Sequence, residues 1–406
     1  MIITFVHFVL DVMVSYSHAI ASLAASLNAS GHKVSLVVVR NKDFNSVVDD
    51  ILLTKPDIIC LSYMSNQSKT ASNLANLIRI YNPKIPIWAG GSHTNALPTD
   101  FMNSEIDAVC YGEGEEILLD AIHAYKNGQL FEKTGWITKV SEKRNLTSAI
   151  VEELDSLALP LIDLFDKSDV LNYPSLMFSR GCPFHCNYCM SRMGGLGNRV
   201  RWKSVDRAIL EAERLVKTFQ PSEIYFDDDT LLKNPKWIQE FLSAYKKKID
   251  CPYYCNARPE VITKSGSELL AETGCKAIGI GIESGSERLR RDILNRPMSI
   301  EQIKRAFDLI HKAGLKTWSF NMIGIPGETL DDLYETIRIN QIVDTDFVRV
   351  SVYTAYPGTP LGDGLGIAFD NTSYFNALDS LTPELQKIGR DWVTSLKNQG
   401  RLWNDE

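Results

Sequence analysis

The stretch Ser179-Arg180-Gly181-Cys182-Pro183-Phe184-His185-Cys186-Asn187-Tyr188-Cys189-Met190 packs three thiols into eight residues. Thiolates three and four positions apart on one short loop can converge on a single soft metal centre, and a trio differs in kind from the closed four-ligand set of structural zinc. A cluster with one iron left unligated by the protein is the natural reading. Gly181 and Pro183 suit a tight loop at the end of a strand, because glycine accepts unusual backbone angles and proline fixes its own. On residues alone two other readings stay open: a zinc site with its fourth ligand elsewhere, His185 included, or three ordinary core cysteines.

Downstream of this loop, short apolar runs alternate with helix-length segments. Strands are expected at Leu176–Phe178, Glu223–Phe226, Tyr253–Asn256, Ala277–Ile282, Thr317–Ile323 and Phe347–Val352, with helices centred on Glu211, Phe241, Leu269, Leu309 and Tyr334. Six strand-helix units cannot close an eightfold barrel, so a partial barrel with its chemistry at the C-terminal strand ends is expected. Those ends carry Asp227-Asp228-Asp229, Asn256-Ala257-Arg258, Glu283-Ser284-Gly285-Ser286, Met322-Ile323-Gly324-Ile325-Pro326-Gly327 and Tyr356-Pro357-Gly358. An acidic triplet is often a solvated surface; following Ile224-Tyr225-Phe226 directly, at least one of its carboxylates should project into the barrel mouth. Arg288, Arg290 and Arg291 read as the solvated face of a helix. Cys251, Cys255, Cys275, Cys60 and Cys110 read as small buried hydrophobes rather than further ligands.

Upstream, strands at Met1–Leu10, Val34–Val39, Asp57–Tyr63, Ile85–Ala89 and Ala108–Tyr111 alternate with helices at Ala19–Ala29, Phe44–Leu53, Ala71–Tyr81 and Glu115–Tyr125. That alternation, without hairpin turns, predicts a doubly wound parallel sheet, which binds ligands at the carboxyl edge of its strands. There stand Ser62-Tyr63-Met64, Gly90-Gly91-Ser92-His93 and Gly112-Glu113-Gly114-Glu115. Glycines at such points admit a flat or bulky ligand, or simply make tight turns. Between about Gly128 and Ser168 the rhythm fails, with Trp136–Val140 as a lone strand. We place the domain boundary near Ile150, giving 1–150, a barrel over 151–362 and a short helical tail over 363–406, with one helix at Pro383–Lys397.

A chain of 406 residues with 44% hydrophobic and 23% charged residues is long enough for two cores and is not composed like a disordered protein. The net charge of -7 argues against a nucleic-acid backbone as the main partner. No Lys or Arg precedes Lys33, and Asp11 cuts the first apolar run, so neither a signal peptide nor a membrane span is expected. Cysteines without a secretion signal point to metal or redox use in the cytoplasm.

The cysteine loop, with Tyr188 just before its last thiol, resembles the radical SAM superfamily. The resemblance implies that Cys182, Cys186 and Cys189 bind a 4Fe-4S cluster whose open iron takes S-adenosylmethionine (SAM), which is cleaved to a 5'-deoxyadenosyl radical. It further implies SAM contacts from Phe184, Tyr188, Asp227, Asp228, Arg258, Glu283, Ser284, Gly324 and Tyr356, with Arg296 pairing the methionine carboxylate. An electron donor such as flavodoxin or ferredoxin is implied as well. The first half resembles the Rossmann-like cobalamin-binding domain fused to many radical SAM proteins, implying corrin contacts from Ser62, Tyr63, Gly90, Gly91, His93, Gly112 and Glu113. Free-standing cobalamin domains carry Asp-x-His-x-x-Gly after the first strand; here Tyr16 and Ala21 flank His18 in the Asp and Gly places, so His18 is not expected to ligate cobalt. The branch implies methylation of an unactivated carbon in a small-molecule substrate. Cyclisation or rearrangement without methyl transfer is the alternative, and a cobalamin- or redox-sensing binding protein is the reading from another class.

Overall fold

Short, largely apolar strands alternating with helices build both halves of the computed structural model. It describes residues 1–9, 16–40, 43–129, 134–140, 147–195, 199–363 and 381–402, without the side chains of 192, 194 and 195. The first unit holds β1 (Ile2–Phe8), α1 (His18–Ala29), β2 (Lys33–Val39), α2 (Phe44–Leu53), β3 (Ile58–Ser62), α3 (Ser68–Tyr81), β4 (Ile87–Gly90), α4 (Ser92–Ala96), β5 (Ala108–Cys110), α5 (Ile117–Lys126) and β6 (Trp136–Thr138). The sheet order is β2-β1-β3-β4-β5-β6, parallel except for β6, which runs antiparallel to β5. The mostly apolar runs of β1, interrupted by Thr4 and His7, and of β3 follow from burial on both faces. The segment Trp136–Val140, expected as a lone strand of the linker, is thus in part a sheet edge. The loop after β1, residues 10–15, lies outside the described residues.

Compactness divides the chain at Tyr173 rather than near Ile150. The first unit takes in Met1–Tyr173, Met190–Lys203 and Tyr356–Thr359. The reason is that the connection packs on it: Leu161 N donates to Ala21 O (2.8 Å), Val151 N to the Glu113 carboxylate (2.7 Å), and Asp169, on α6 (Lys167–Asn172), pairs with Arg40.

The second unit contains β7 (Ser175–Leu176) and, flanking the thiol loop, the short β8 (Ser179–Arg180); β9 (Arg201–Trp202) belongs to the first unit. There follow α7 (Val205–Phe219), β10 (Ile224–Phe226), α8 (Pro235–Lys248), β11 (Tyr253–Ala257), α9 (Lys264–Glu272), β12 (Cys275–Glu283), α10 (Ile300–Lys312), β13 (Lys316–Ile323), α11 (Leu330–Ile342), β14 (Phe347–Val352) and α12 (Pro383–Asn398). The order β14-β13-β12-β11-β10-β7 is parallel throughout and open, the expected partial barrel. Caps start the helices where strand-end loops must turn: Ser204, Asn234, Thr263, Ser299 and Thr329 each accept an amide hydrogen bond from the first turn. The tail covers the β14 edge. Trp392, Leu385 and Leu396 pack on Ile323, Leu333 and Val348, and Val348 N donates to Arg401 O at 2.8 Å.

Candidate functional site

The thiol loop is held at both ends. Asp228, buried after β10, accepts hydrogen bonds from Phe178 N (3.0 Å), Ser179 N (2.6 Å) and Ser179 Oγ (2.5 Å), fixing the strand that leads into the loop. Within it Gly181 takes a left-handed φ of 96°. Asn187 N donates to Leu294 O (3.0 Å) and its side chain to Ile293 O (2.9 Å), while Asn295 Nδ2 donates to His185 O (2.7 Å). Cys186 is buried, Cys182 and Cys189 are half-buried, and the His185 side chain is exposed. Among the described residues no three His, Cys, Asp or Glu side chains already stand gathered around one point as a metal cage. The donors nevertheless sense one another. Burial raises the Cys182 thiol, an amide hydrogen bond at Phe184 opposes, and Asp229, Cys189 and Cys186 raise it again, to about 11. A metal would have to displace these protons, so binding should release them.

Cationic groups surround Cys186. Arg258, just past β11, donates from Nη1 to Cys186 Sγ at 3.0 Å, and its guanidinium lies 3.8 Å from the centre of the Phe184 ring. Arg296 Nη1 stands 3.9 Å from the same sulfur and 3.3 Å from Tyr188 OH, and its Nη2 donates to Gly281 O at 2.6 Å. Its Nε is buried without a partner. Glu283 lies 3.8 Å from Arg296. Burial raises the Glu283 carboxyl despite the pull of Arg296 and Tyr188. Burial opposes the charge on Arg296, yet Tyr188, Glu283 and Cys186 outweigh it and raise its pKa. Glu283 has φ 67°, rare for a residue with a side chain, at a register shift between Gly281 and Glu283. Such strain tends to collect at functional sites. A Cβ at Gly281 would fall 2.5 Å from Glu283 Oε1 and 2.8 Å from Arg296 Nη2, so glycine is what lets this pair form there.

The remaining candidates of this unit divide. Asp227 is half-buried at its strand end, whereas Asp228 is engaged beneath the loop as described. Ser284 is buried, 3.3 Å from Thr336 Oγ1. Gly324 has φ 76° and donates its N–H to Glu328 at 2.5 Å; burial pushes that carboxyl up to about 7. Tyr356 belongs to the first unit, in a turn closed by Thr359 Oγ1 on its carbonyl (2.6 Å). The solvated-face reading of Arg290 is wrong. Arg290 is fully buried, donating to Ser284 O (2.7 Å) and Met298 O (3.1 Å), with Nη2 unpartnered; Arg288 and Arg291 are exposed.

In the first unit Ser62, Tyr63, Gly90, Gly91, His93, Gly112 and Glu113 all lie at the carboxyl ends of β3, β4 and β5. Two of the glycines serve the chain itself: a Cβ at Gly91 would meet Tyr63 O at 2.6 Å, and one at Gly112 would meet Ala149 O at 2.2 Å. At Gly90 it would meet only Cys110, at 3.8 Å. His93 is buried with both nitrogens engaged, Nδ1 by Ser65 Oγ (3.1 Å) and Nε2 by Asp100 (3.0 Å), so its ring fixes the β3 loop. Glu113 is taken by Arg201, at 2.7 and 2.8 Å. Buried Ser65 and Gln67, Asp100 and Arg201 went unnoticed in the sequence because single polar residues in loops carry no periodicity.

An open parallel barrel with thiols and guanidinium groups at its strand ends, preceded by a doubly wound domain, defines an enzyme that binds an iron-sulfur cluster together with a large planar cofactor. The donors fit these groups: soft sulfur ligands with fixed cations at one of them, and a strand end at Gly90 where, among the described residues, an added Cβ meets only Cys110 at 3.8 Å. The chain matches the radical SAM superfamily over residues 176–339 and the B12 binding domain over residues 12–122. It belongs to the cobalamin-binding branch of the radical SAM enzymes, with SAM, a 4Fe-4S cluster and cobalamin as cofactors. It is 28% identical over 355 residues to an uncharacterised methyltransferase of Pyrococcus horikoshii, covering 83% of this chain and 76% of that protein. It is 24% identical over 408 residues to the anaerobic magnesium-protoporphyrin IX monomethyl ester cyclase of Rubrivivax gelatinosus, covering 95% and 73%. The fold resembles the radical SAM methyltransferase TsrM of Kitasatospora setae, solved with tryptophan and a SAM analogue, at a TM-score of 0.76 and 15% identity over 89% of this chain and 75% of that one. No helix among the described residues is long and apolar enough to cross a membrane.

Proposed function

We propose that the protein methylates an unactivated carbon of a small or medium-sized metabolite, with Cys182, Cys186 and Cys189 as ligands of the cluster. The observation that supports its SAM-dependent part is the meeting of Tyr188 and Glu283 at Arg296, whose Nη1 stands 3.9 Å from Cys186 Sγ. When bound, the cluster supplies the electron that cleaves SAM to methionine and the 5'-deoxyadenosyl radical, and cobalamin carries the methyl group. The chain's own residues bind and orient. Arg296, permanently charged and with a spare buried N–H, holds the methionine carboxylate. Glu283 offers an acceptor to the nucleoside or methionine part, Asp227 meets the amine, and the Gly324 loop flanks the adenine. Ser62, Tyr63 and Gly90 would face the corrin, while His93 is engaged by Ser65 and Asp100 and would hold the loop beneath it. A low-potential donor such as flavodoxin or ferredoxin supplies the electron.

The second reading, ring formation without methyl transfer, is favoured by the 95% coverage of this chain in its similarity to the cyclase. Anaerobically reconstituted protein given SAM, reductant and substrate separates the two. Comparable yields of 5'-deoxyadenosine and S-adenosylhomocysteine support methylation; deoxyadenosine alone, with no methyl added to the product, supports cyclisation. No deoxyadenosine at all would leave a binding protein. A Cys186→Ala variant that keeps the full EPR signal of the reduced cluster would overturn the ligand assignment.

A further inference from the structure

Arg258 is held on three sides. Its plane lies 3.8 Å from the centre of the Phe184 ring, its Nη1 is 3.0 Å from Cys186 Sγ, and its Nη2 and Nε donate to Glu260 Oε1 at 2.5 and 3.2 Å. Pro259 follows it directly and opens a short helical turn, Pro259–Val261, which sets Glu260 beside the guanidinium. The other cation near that sulfur, Arg296, stands off at 3.9 Å and spends its closest bond on Gly281 O. Arg258 is therefore the nearer donor, and stacking leaves its fork little freedom to turn away.

An electron added to a thiolate-bound cluster adds negative charge to a site that is already anionic. A fixed cation hydrogen-bonded to one ligand sulfur favours the reduced form, and a carboxylate that partly neutralises the cation weakens this effect. We propose that Arg258 is not a SAM contact but a positioning residue that acts through Cys186 to raise the reduction potential of the cluster, with Glu260 as its counterweight. The proposal rests on the reading of the three cysteines as cluster ligands. The step is one electron entering the cluster from a mediator poised with dithionite; no bond breaks and no proton moves.

The experiment is a reductive series followed by EPR, without SAM, on the reconstituted full chain and on the Arg258→Gln and Glu260→Gln variants, with iron and sulfide counted per chain. Arg258→Gln should lower the reduced-to-oxidised ratio at a fixed solution potential by about tenfold, about 59 mV for one electron. Glu260→Gln should raise that ratio severalfold. Opposite shifts at equal iron content support the proposal. Equal potentials in all three proteins, or shifts of the same sign, overturn it while leaving the ligand assignment intact. A parent protein that binds no iron would instead defeat the reading beneath it. If Arg258→Gln assembles no cluster, Glu260→Gln decides alone: an upward shift supports the proposal, and none or a downward one refutes it.

Discussion

Asp332 joins two loops through one carboxylate. Ser286 Oγ donates to Oδ1 at 2.5 Å, while Arg288 Nη2, Thr329 Oγ1 and Thr329 N donate to Oδ2 at 2.5, 2.7 and 2.9 Å. Burial alone would raise this carboxyl; the donors outweigh it and hold it at about 2. Its pKa is lowered on folding, so it stabilises the fold above the unfolded chain's value near 4 and loses that contribution as pH falls toward 2. Asp332→Asn should therefore cost about 1–2 kcal/mol in urea unfolding of the apo-protein near neutral pH, Arg288 being exposed. The gap between variant and parent should be constant from pH 8 to 5 and narrow below 4. A gap that does not change down to pH 3.5 would show that shape and not charge accounts for the loss. Nearby, Arg290 shows why the sequence misled. Leu289–Ile293 is a π-helical turn, with Leu294 N on Leu289 O at 2.9 Å, so the 3.6-residue spacing that put three arginines on a wet face does not apply there.

At the scale of elements, β12 and its following loop set the spacing of the site, and two glycines there have different reasons. A Cβ at Gly285 would stand 2.1 Å from Glu335 O and 2.4 Å from Thr336 N, which are backbone atoms of α11 and cannot swing aside. At Gly327 nothing lies within 4 Å, but φ is 76°. Gly285→Ala should thus part the loop from α11 at a cost of about 1–3 kcal/mol or more, whereas Gly327→Ala pays only for its backbone, about 1–2 kcal/mol. Thermal unfolding of both variants checks the order, which an equal or greater loss at Gly327 would reverse. In SAM binding by equilibrium dialysis, Gly285→Ala should be the weaker, because Ser284 and Glu283 precede the displaced residue. Such elements were largely legible: strands buried on both faces announce themselves as apolar runs, and Glu283, Arg296 and Tyr188 could be placed through family motifs. The antiparallel β6 was less so, since a three-residue edge strand after an irregular segment has no pattern long enough to fix its direction.

Across the whole molecule, the first unit is assembled from three separated stretches of chain, and this was not legible at all. A compositional boundary near Ile150 marks where the strand-helix rhythm stops; it says nothing of Met190–Lys203, which lies beyond the cysteine loop and yet supplies Arg201. That guanidinium is buried, donating to both oxygens of Glu113 (2.7 and 2.8 Å) and bonded to Val151 O, while Val151 N donates to Glu113 at 2.7 Å. Two charges so placed need each other: removing one leaves the other unpaired out of water, at a cost of about 3–5 kcal/mol, whereas replacing both with neutral groups of similar size is far milder. Arg201→Met should accordingly lower the unfolding midpoint sharply, Glu113→Gln alone should do the same, and the double variant should recover much of the loss, which a double-mutant cycle in urea measures directly. Because Glu113 stands on the β5 end loop, Arg201→Met should also weaken retention of cobalamin on gel filtration, and the double variant should restore it in part. Strictly additive losses would mean that the pair is not coupled and that Gly112, closed onto Ala149, secures that loop alone.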